Sequence, residues 1–263
     1  MRTRSAVILV FLLVAAPAAA QIPPPVVQPS PGIDFLTRFD VWMSASALAI
    51  SNPKYSWDVH FGGSADVFDY GIGRLGTRID YEPVLGDELR PFDPNQSNYT
   101  LEANTSVRLG PNTEVVGVFH HVSRHLSDRP KLFAVAWNVL GGRLLRHASV
   151  GSVTIDVDAE AGAAVQHSYV DYRWVGELNL VLRRPLTPRA AAFFQGYGQL
   201  VGVNEMMYHR GTQAGGLAEA GLRITTRGGI FEIFAGVEQR IDAYPIGTGA
   251  EQWGLAGIRL LSR

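Results

Sequence analysis

Cysteine is absent from the 263 residues, only 18% of them are charged, and the formal net charge is -1. Without cysteine no disulfide framework holds an exported fold together, and a lipid-anchored mature N-terminus is excluded. The near-neutral balance offers nothing to a polyanion, so nucleic acid is not an expected partner. Long hydrophobic runs are also missing. Beyond the N-terminal segment nothing reaches the about 18 apolar residues of a transmembrane helix.

What is present begins with an export signal. Arg2 and Arg4 precede the apolar run Ala6–Ala16, and Ala18, Ala19 and Ala20 form a small-residue cleavage site before Gln21. Residues 1–20 therefore read as a cleaved signal peptide. Residues 21–34, with Pro23, Pro24, Pro25, Pro29 and Pro31, read as an extended periplasmic leader.

From residue 35 to the end the chain alternates in polarity. Tyr99, Leu101, Ala103, Thr105, Val107 and Leu109 share one face, and Thr100, Glu102, Asn104, Ser106 and Arg108 share the other. That is the period of a strand. Similar segments run over 35–50, 55–69, 71–83, 98–109, 113–124, 132–146, 149–165, 169–184, 188–203, 212–226, 229–242 and 251–261. Most reach the about 9–11 residues that a membrane-crossing strand needs. Connections two, four, six, eight and ten are short (Tyr70; Gly110–Asn112; Arg146–Ala148; Arg184–Thr187; Gly228), and the longest, Leu85–Ser97 and Asn204–Gly211, fall among the others. An even number of long alternating strands with short turns at one end predicts an all-β fold. It is an antiparallel transmembrane β-barrel of about 12 strands over 35–263. The expected location is the bacterial outer membrane, and the expected partners are the lipid bilayer and its outer-membrane lipids. The oligomeric state is left open. Aromatic residues near segment ends (Trp42, Tyr55, Trp57, Tyr70, Tyr99, Trp137, Tyr169, Tyr172, Tyr208, Trp253) suit interfacial girdles.

One stretch, Val118–Asn138, gathers chemistry. His121, Ser123, His125 and Asp128 lie within eight positions, and Asn138 closes the stretch. A serine becomes a nucleophile when a neighbouring base takes its proton and a third group orients the base. His121 and Ser123 are two apart, hence on one strand face, while His120 lies on the other with Glu114. A glutamate belongs in a wet lumen rather than in lipid, which sends His121 and Ser123 to the lipid side.

In this order of elements the chain resembles the outer-membrane phospholipase A family, a twelve-stranded barrel with a His-x-Ser pair and an Asn on the next strand. The resemblance implies Ser123 as nucleophile, His121 as base and Asn138 as orienter, acting on a lipid ester with calcium as cofactor. Ser123 to Asn138 is three residues longer than in that family, and Leu126 and Lys131 stand nearest its calcium-holding positions. The lipid A 3-O-deacylase barrels also use His-x-Ser, with fewer strands and an acidic third member. The run His121-Val122-Ser123-Arg124-His125-Leu126-Ser127-Asp128 is similar, more continuously, to an uncharacterised group of exported barrels with a His-x-Ser-x-His-Leu-Gly-Asp element. That likeness implies a barrel without an assigned activity or cofactor.

The other polar positions point inward. Asp156, Asp158 and Glu160, with Arg173 and Glu177 on the next segment, read as a lumen filled by ion pairs and water, or as the wall of a narrow cation-selective pore. Gly71-Ile72-Gly73-Arg74-Leu75-Gly76 matches the dinucleotide fingerprint by letter, but it lies in a strand with no helix following. Two functions follow: a membrane barrel with a structural, binding or narrow-pore role, or a lipid-facing phospholipase or esterase.

Overall fold

The computed structural model describes Val26 and residues 32–127, 129–130 and 133–262. The signal segment 1–20, most of the leader, Asp128 and Lys131 lie outside the described residues. Twelve strands follow one another: β1 (Asp34–Ala49), β2 (Trp57–Asp69), β3 (Arg74–Gly86), β4 (Asp93–Gly110), β5 (Thr113–Leu126), β6 (Val135–Val150), β7 (Val153–Ser168), β8 (Tyr172–Thr187), β9 (Ala190–Val203), β10 (Gln213–Thr225), β11 (Ile230–Arg240) and β12 (Glu251–Leu261). Each pairs antiparallel with its chain neighbours, and β12 closes on β1 with Trp42 opposite Leu261 and Ala49 opposite Gly254. Closure satisfies the backbone of every strand within the sheet, the condition for crossing a bilayer with strands.

The alternation read from the sequence is the inside and outside of this barrel, and it is inverted relative to a protein dissolved in water. Ile79, Leu101, Val115, Leu140, Leu178, Leu222, Ile233 and Ile258 are exposed on the outer surface. Arg74, Glu114, Glu102, Arg143, Glu219, Glu232, Arg259, Glu238 and Arg240 are buried within. So continuous an apolar belt requires lipid as its solvent.

The buried charges are matched. Arg74 donates to Glu114 Oε1 at 2.9 Å and to Asp66 Oδ2 at 2.8 Å. Arg259 bridges Glu219 and Glu232 at 2.7 and 2.8 Å. Arg240 gathers Asp58, Glu82 and Glu238. Arg143 donates to both oxygens of Glu102, at 2.9 and 2.7 Å, and to Glu160 at 2.6 Å. Among the described residues the two larger lumenal cavities are of about 520 Å³ and about 130 Å³, and Glu102 and Arg143 line both. Val26 packs against an apolar lumenal patch of Val116, Val118 and Leu145.

Turns of two to four residues lie at one end of the barrel, and the connections of six residues or more lie at the other, where the β7–β8 connection (169–171) is the short exception. Several strand ends differ from the sequence expectation. The β6–β7 turn is at 151–152 rather than 146–148, because Gly151 supplies the positive φ of +60° that the tight turn requires. The β8–β9 turn likewise moves to 188–189. The expected long connection Leu85–Ser97 is mostly strand, since β3 and β4 stay paired to Gly86 and Asp93 through a register shift at Val84/Leu85. Gly71 and Gly73 of the glycine fingerprint lie in the β2–β3 turn and lead into a strand.

Half of the expected girdle aromatics face inward. Trp42 is buried over Gly62 and donates its indole N–H to Asp80 Oδ1 at 2.8 Å, and a Cβ at Gly62 would meet that ring at 2.1 Å. Trp253 donates to Glu238 Oε2 at 3.0 Å and stacks near Tyr55. Tyr172 donates to Asp242 Oδ2 at 2.8 Å, and Trp137 meets it edge-on. The physical reason is shared: a ring with a polar tip is satisfied by a lumenal carboxylate, which lipid cannot offer. The outward rings include Phe61, Tyr81 and Tyr99, in successive contact, and Tyr169 stacked on Phe133.

Glu160 is buried, and Asp156, Asp158 and Glu177 join it inside through Arg183, Arg143 and Gln199. Arg173 is not with them. The register shift at Tyr172/Trp174 turns Tyr172 inward and Trp174 outward, leaving Arg173 exposed on the irregularity.

Candidate functional site on the outer face of β5 and β6

The phase of β5 is set at its short-turn end. Glu114 is fully buried against Arg74, so Val116, Val118, His120 and Arg124 also face the lumen. The intervening residues Val115, Gly117, Phe119, His121, Ser123 and His125 therefore face outward. Val115 and Phe119 are exposed accordingly, and the pairing of β5 with β6 runs without a register shift from Thr113 to Arg124. His121 and Ser123 thus lie on the outer surface, toward the long-loop end. His120 is inside, 3.4 Å from Glu160.

Register brings Asn138 of β6 opposite His121. His121 Nδ1 and Asn138 Oδ1 are 2.6 Å apart, and Asn138 Nδ2 donates to Gln166 Oε1 of β7 at 2.8 Å. The second bond fixes the amide, so its oxygen faces His121 and can only accept. In the tautomer that donates from Nδ1 of His121 to this oxygen, Nε2 is the acceptor nitrogen. This is the tautomer an orienting residue selects for a base.

Ser123, two residues on, has its Oγ 2.7 Å from Nε2 of His125. His125 meets Tyr99 edge-on at 5.6 Å between ring centres, and Tyr99 lies opposite Ser123 in the β4–β5 pairing. Below the row, Leu101 and Phe119 continue the apolar surface. A polar row of His125, Ser123, His121, Asn138 and Gln166 thus crosses three strands at the upper edge of an apolar belt. It presents a hydroxyl, two imidazoles and an amide together on the outer surface.

The structure brings together four of the residues singled out from sequence: His121, Ser123, His125 and Asn138. Asp128 lies outside the described residues, and His120 is separated from the others by the sheet. Gln166 escaped the sequence reading. It reaches Asn138 through the register shift at Asn138/Val139, where β7 carries one extra residue, and only the paired register reveals that meeting.

The long-loop end is closed over the lumen. Arg124 donates to the carbonyls of Asp242 and Ala243 and to Gln96 Oε1. Arg210, just past the short helix α1 (Glu205–Tyr208), holds Asp171 and Asp242 by paired hydrogen bonds of 2.6–2.9 Å. Three connections are thereby tied together. Tyr55 lies beneath them, where burial pushes its hydroxyl up to about 12.

Comparison with known proteins agrees with this architecture. No protein-family profile matches the chain, and no curated relative does. Among solved structures, outer membrane phospholipase A from Escherichia coli superposes with a TM-score of 0.53 at 14% identity, over 85% of this chain and 92% of that one. The Salmonella typhi outer membrane phospholipase dimer with bound calcium gives 0.52 at 14% identity, over 85% and 90%. LpxR from Salmonella typhimurium gives 0.47 at 9% identity, over 85% and 99%. The fold is that of outer-membrane β-barrels, a group that carries diverse roles.

Proposed function

We propose that this barrel resides in the bacterial outer membrane with its long connections outside, and that it is a lipid-facing ester hydrolase. Its substrate would be a phospholipid or lipid A acyl ester. The observation that carries the reading is the His121–Asn138 bond of 2.6 Å on the outward face, two residues from Ser123. It is the His-x-Ser and Asn relationship of the phospholipase A resemblance, reached here despite the longer connection between β5 and β6. Ser123 is the nucleophile, His121 a base, and Asn138, held by Gln166, its orienter.

The resemblance also implies calcium. At the nearest described position Leu126 has no side-chain oxygen, and the Ser97 and Ser127 hydroxyls are bonded to each other at 2.6 Å. These residues do not fit a side-chain-held calcium ion, so no step is routed through one. Refolded protein should release fatty acid from phospholipid micelles, assayed with and without calcium. Ser123→Ala should lower that rate by roughly 100-fold or more, with the barrel still formed. If the unaltered protein releases none under either condition, the hydrolase reading is refuted. The non-catalytic reading would then stand on the ion-paired lumen and its covered mouth.

A further inference from the structure

We propose that His125 is a catalytic residue of this site, the base that takes the proton of Ser123, so that the serine works between two imidazoles rather than beside one. The inference rests on the hydrolase reading above. Its basis is that the Ser123 hydroxyl is already paired, at 2.7 Å, with His125 Nε2. A nucleophile and its base have to meet at about this distance. The edge of His125 against Tyr99, itself stacked on Tyr81 at 4.9 Å, supports the ring on its outer side. His121 is held separately by Asn138 through Nδ1, and no bond from Nε2 to another of the described residues is seen.

Two bases divide a two-step reaction. As Ser123 Oγ bonds to the ester carbon, its proton passes to His125 Nε2. When the carbon–oxygen bond to the leaving alcohol breaks, His125 returns that proton to the departing oxygen, leaving acyl-Ser123. A water then attacks the acyl carbon and gives its proton to His121 Nε2. As the Oγ–carbon bond breaks, that proton goes to Oγ, and the free acid departs. Both imidazoles end neutral.

The first step can be isolated with a long-chain alkyl p-nitrophenyl phosphonate, which labels a serine nucleophile once and is not turned over. Labelling of Ser123 is followed by p-nitrophenol release and located by mass spectrometry. Heat-modifiable gel mobility reports barrel formation. With His125→Gln the labelling rate should fall by about 100-fold, the low end of general-base catalysis. With His121→Gln labelling should stay within a few-fold of the parent while phospholipid turnover falls. Labelling of His125→Gln at the parent rate, in a protein that hydrolyses phospholipid, overturns the role of His125 and leaves the hydrolase intact. An unaltered protein that is neither labelled nor active overturns both.

Discussion

Arg143→Ala tests whether the lumen is held by its charges. The guanidinium is buried on β6, donates to both oxygens of Glu102 on β4 and to Glu160 on β7, and lies 3.4 Å from Asp158. Removing it leaves carboxylates from three positions facing one another, those of Glu102 and Glu160 buried. Asn104 Nδ2, 2.8 Å from Glu102, is a neutral donor, and Arg78, the other guanidinium acting on Glu102 and Asp158, offsets only part of the loss. Breaking a buried pair from one side costs about 3–5 kcal/mol, most of it the penalty of the stranded charge. At tenfold per about 1.4 kcal/mol, the unfolding equilibrium shifts by roughly 100- to 4000-fold. Urea titration of vesicle-inserted protein at neutral pH, read by tryptophan fluorescence, measures the change. The combination Arg143→Met, Glu102→Gln and Glu160→Gln should recover most of the loss, since neutral groups of similar shape need no counter-charge. A loss below about 1 kcal/mol for Arg143→Ala would refute the reasoning, because these carboxylates would then be as well hydrated as surface ones.

Other consequences are as direct. Ile79 is outward and half-exposed in the middle of β3, next to the lumenal Arg78. Ile79→Arg should therefore cost about 2–4 kcal/mol in the same titration, the penalty for a cation on the lipid face at mid-depth. Arg210→Ala should open the loop cap without unfolding the barrel, as the buried Asp171 loses both its bonds. At about 3 kcal/mol for those charged hydrogen bonds, protease cleavage within residues 204–212 should quicken by roughly 100-fold. Tyr55 adds a pH dependence: its hydroxyl ionises at about 12 in the fold instead of near 10. The neutral form is favoured by folding, so its contribution is complete below pH 10 and is lost as pH rises toward 12. Tyr55→Phe should flatten stability across that alkaline window.

The architecture was legible because a membrane barrel writes its two environments into every strand with a period of two. Strand number, faces and the short-turn end all follow from that. Strand ends were less legible, since pairing continues past the last apolar residue wherever a turn such as Gly151 allows it. The inward rings of Trp42, Trp253 and Tyr172 were hidden, because their carboxylate partners Asp80, Glu238 and Asp242 lie on other strands or loops. Arg173 was misplaced for a related reason, as one irregularity reverses the phase of everything beyond it.

The candidate site depends on that same phase. Nothing in the residues 121–125 themselves decides whether they meet lipid or the lumen. The decision is made seven residues earlier, where Glu114 is committed to Arg74. Uninterrupted pairing between Glu114 and Arg124 carries it along β5, since a slip of one residue would exchange the two faces. At the far end Arg124 repeats the commitment by binding the loop cap from inside. Ser123 is thus fixed outward by charges on both sides of it that face the opposite way. The outward placement of Ser123 and the ion pairing in the lumen are two consequences of one alternation, so the lumenal network of β5 is part of what positions the hydroxyl.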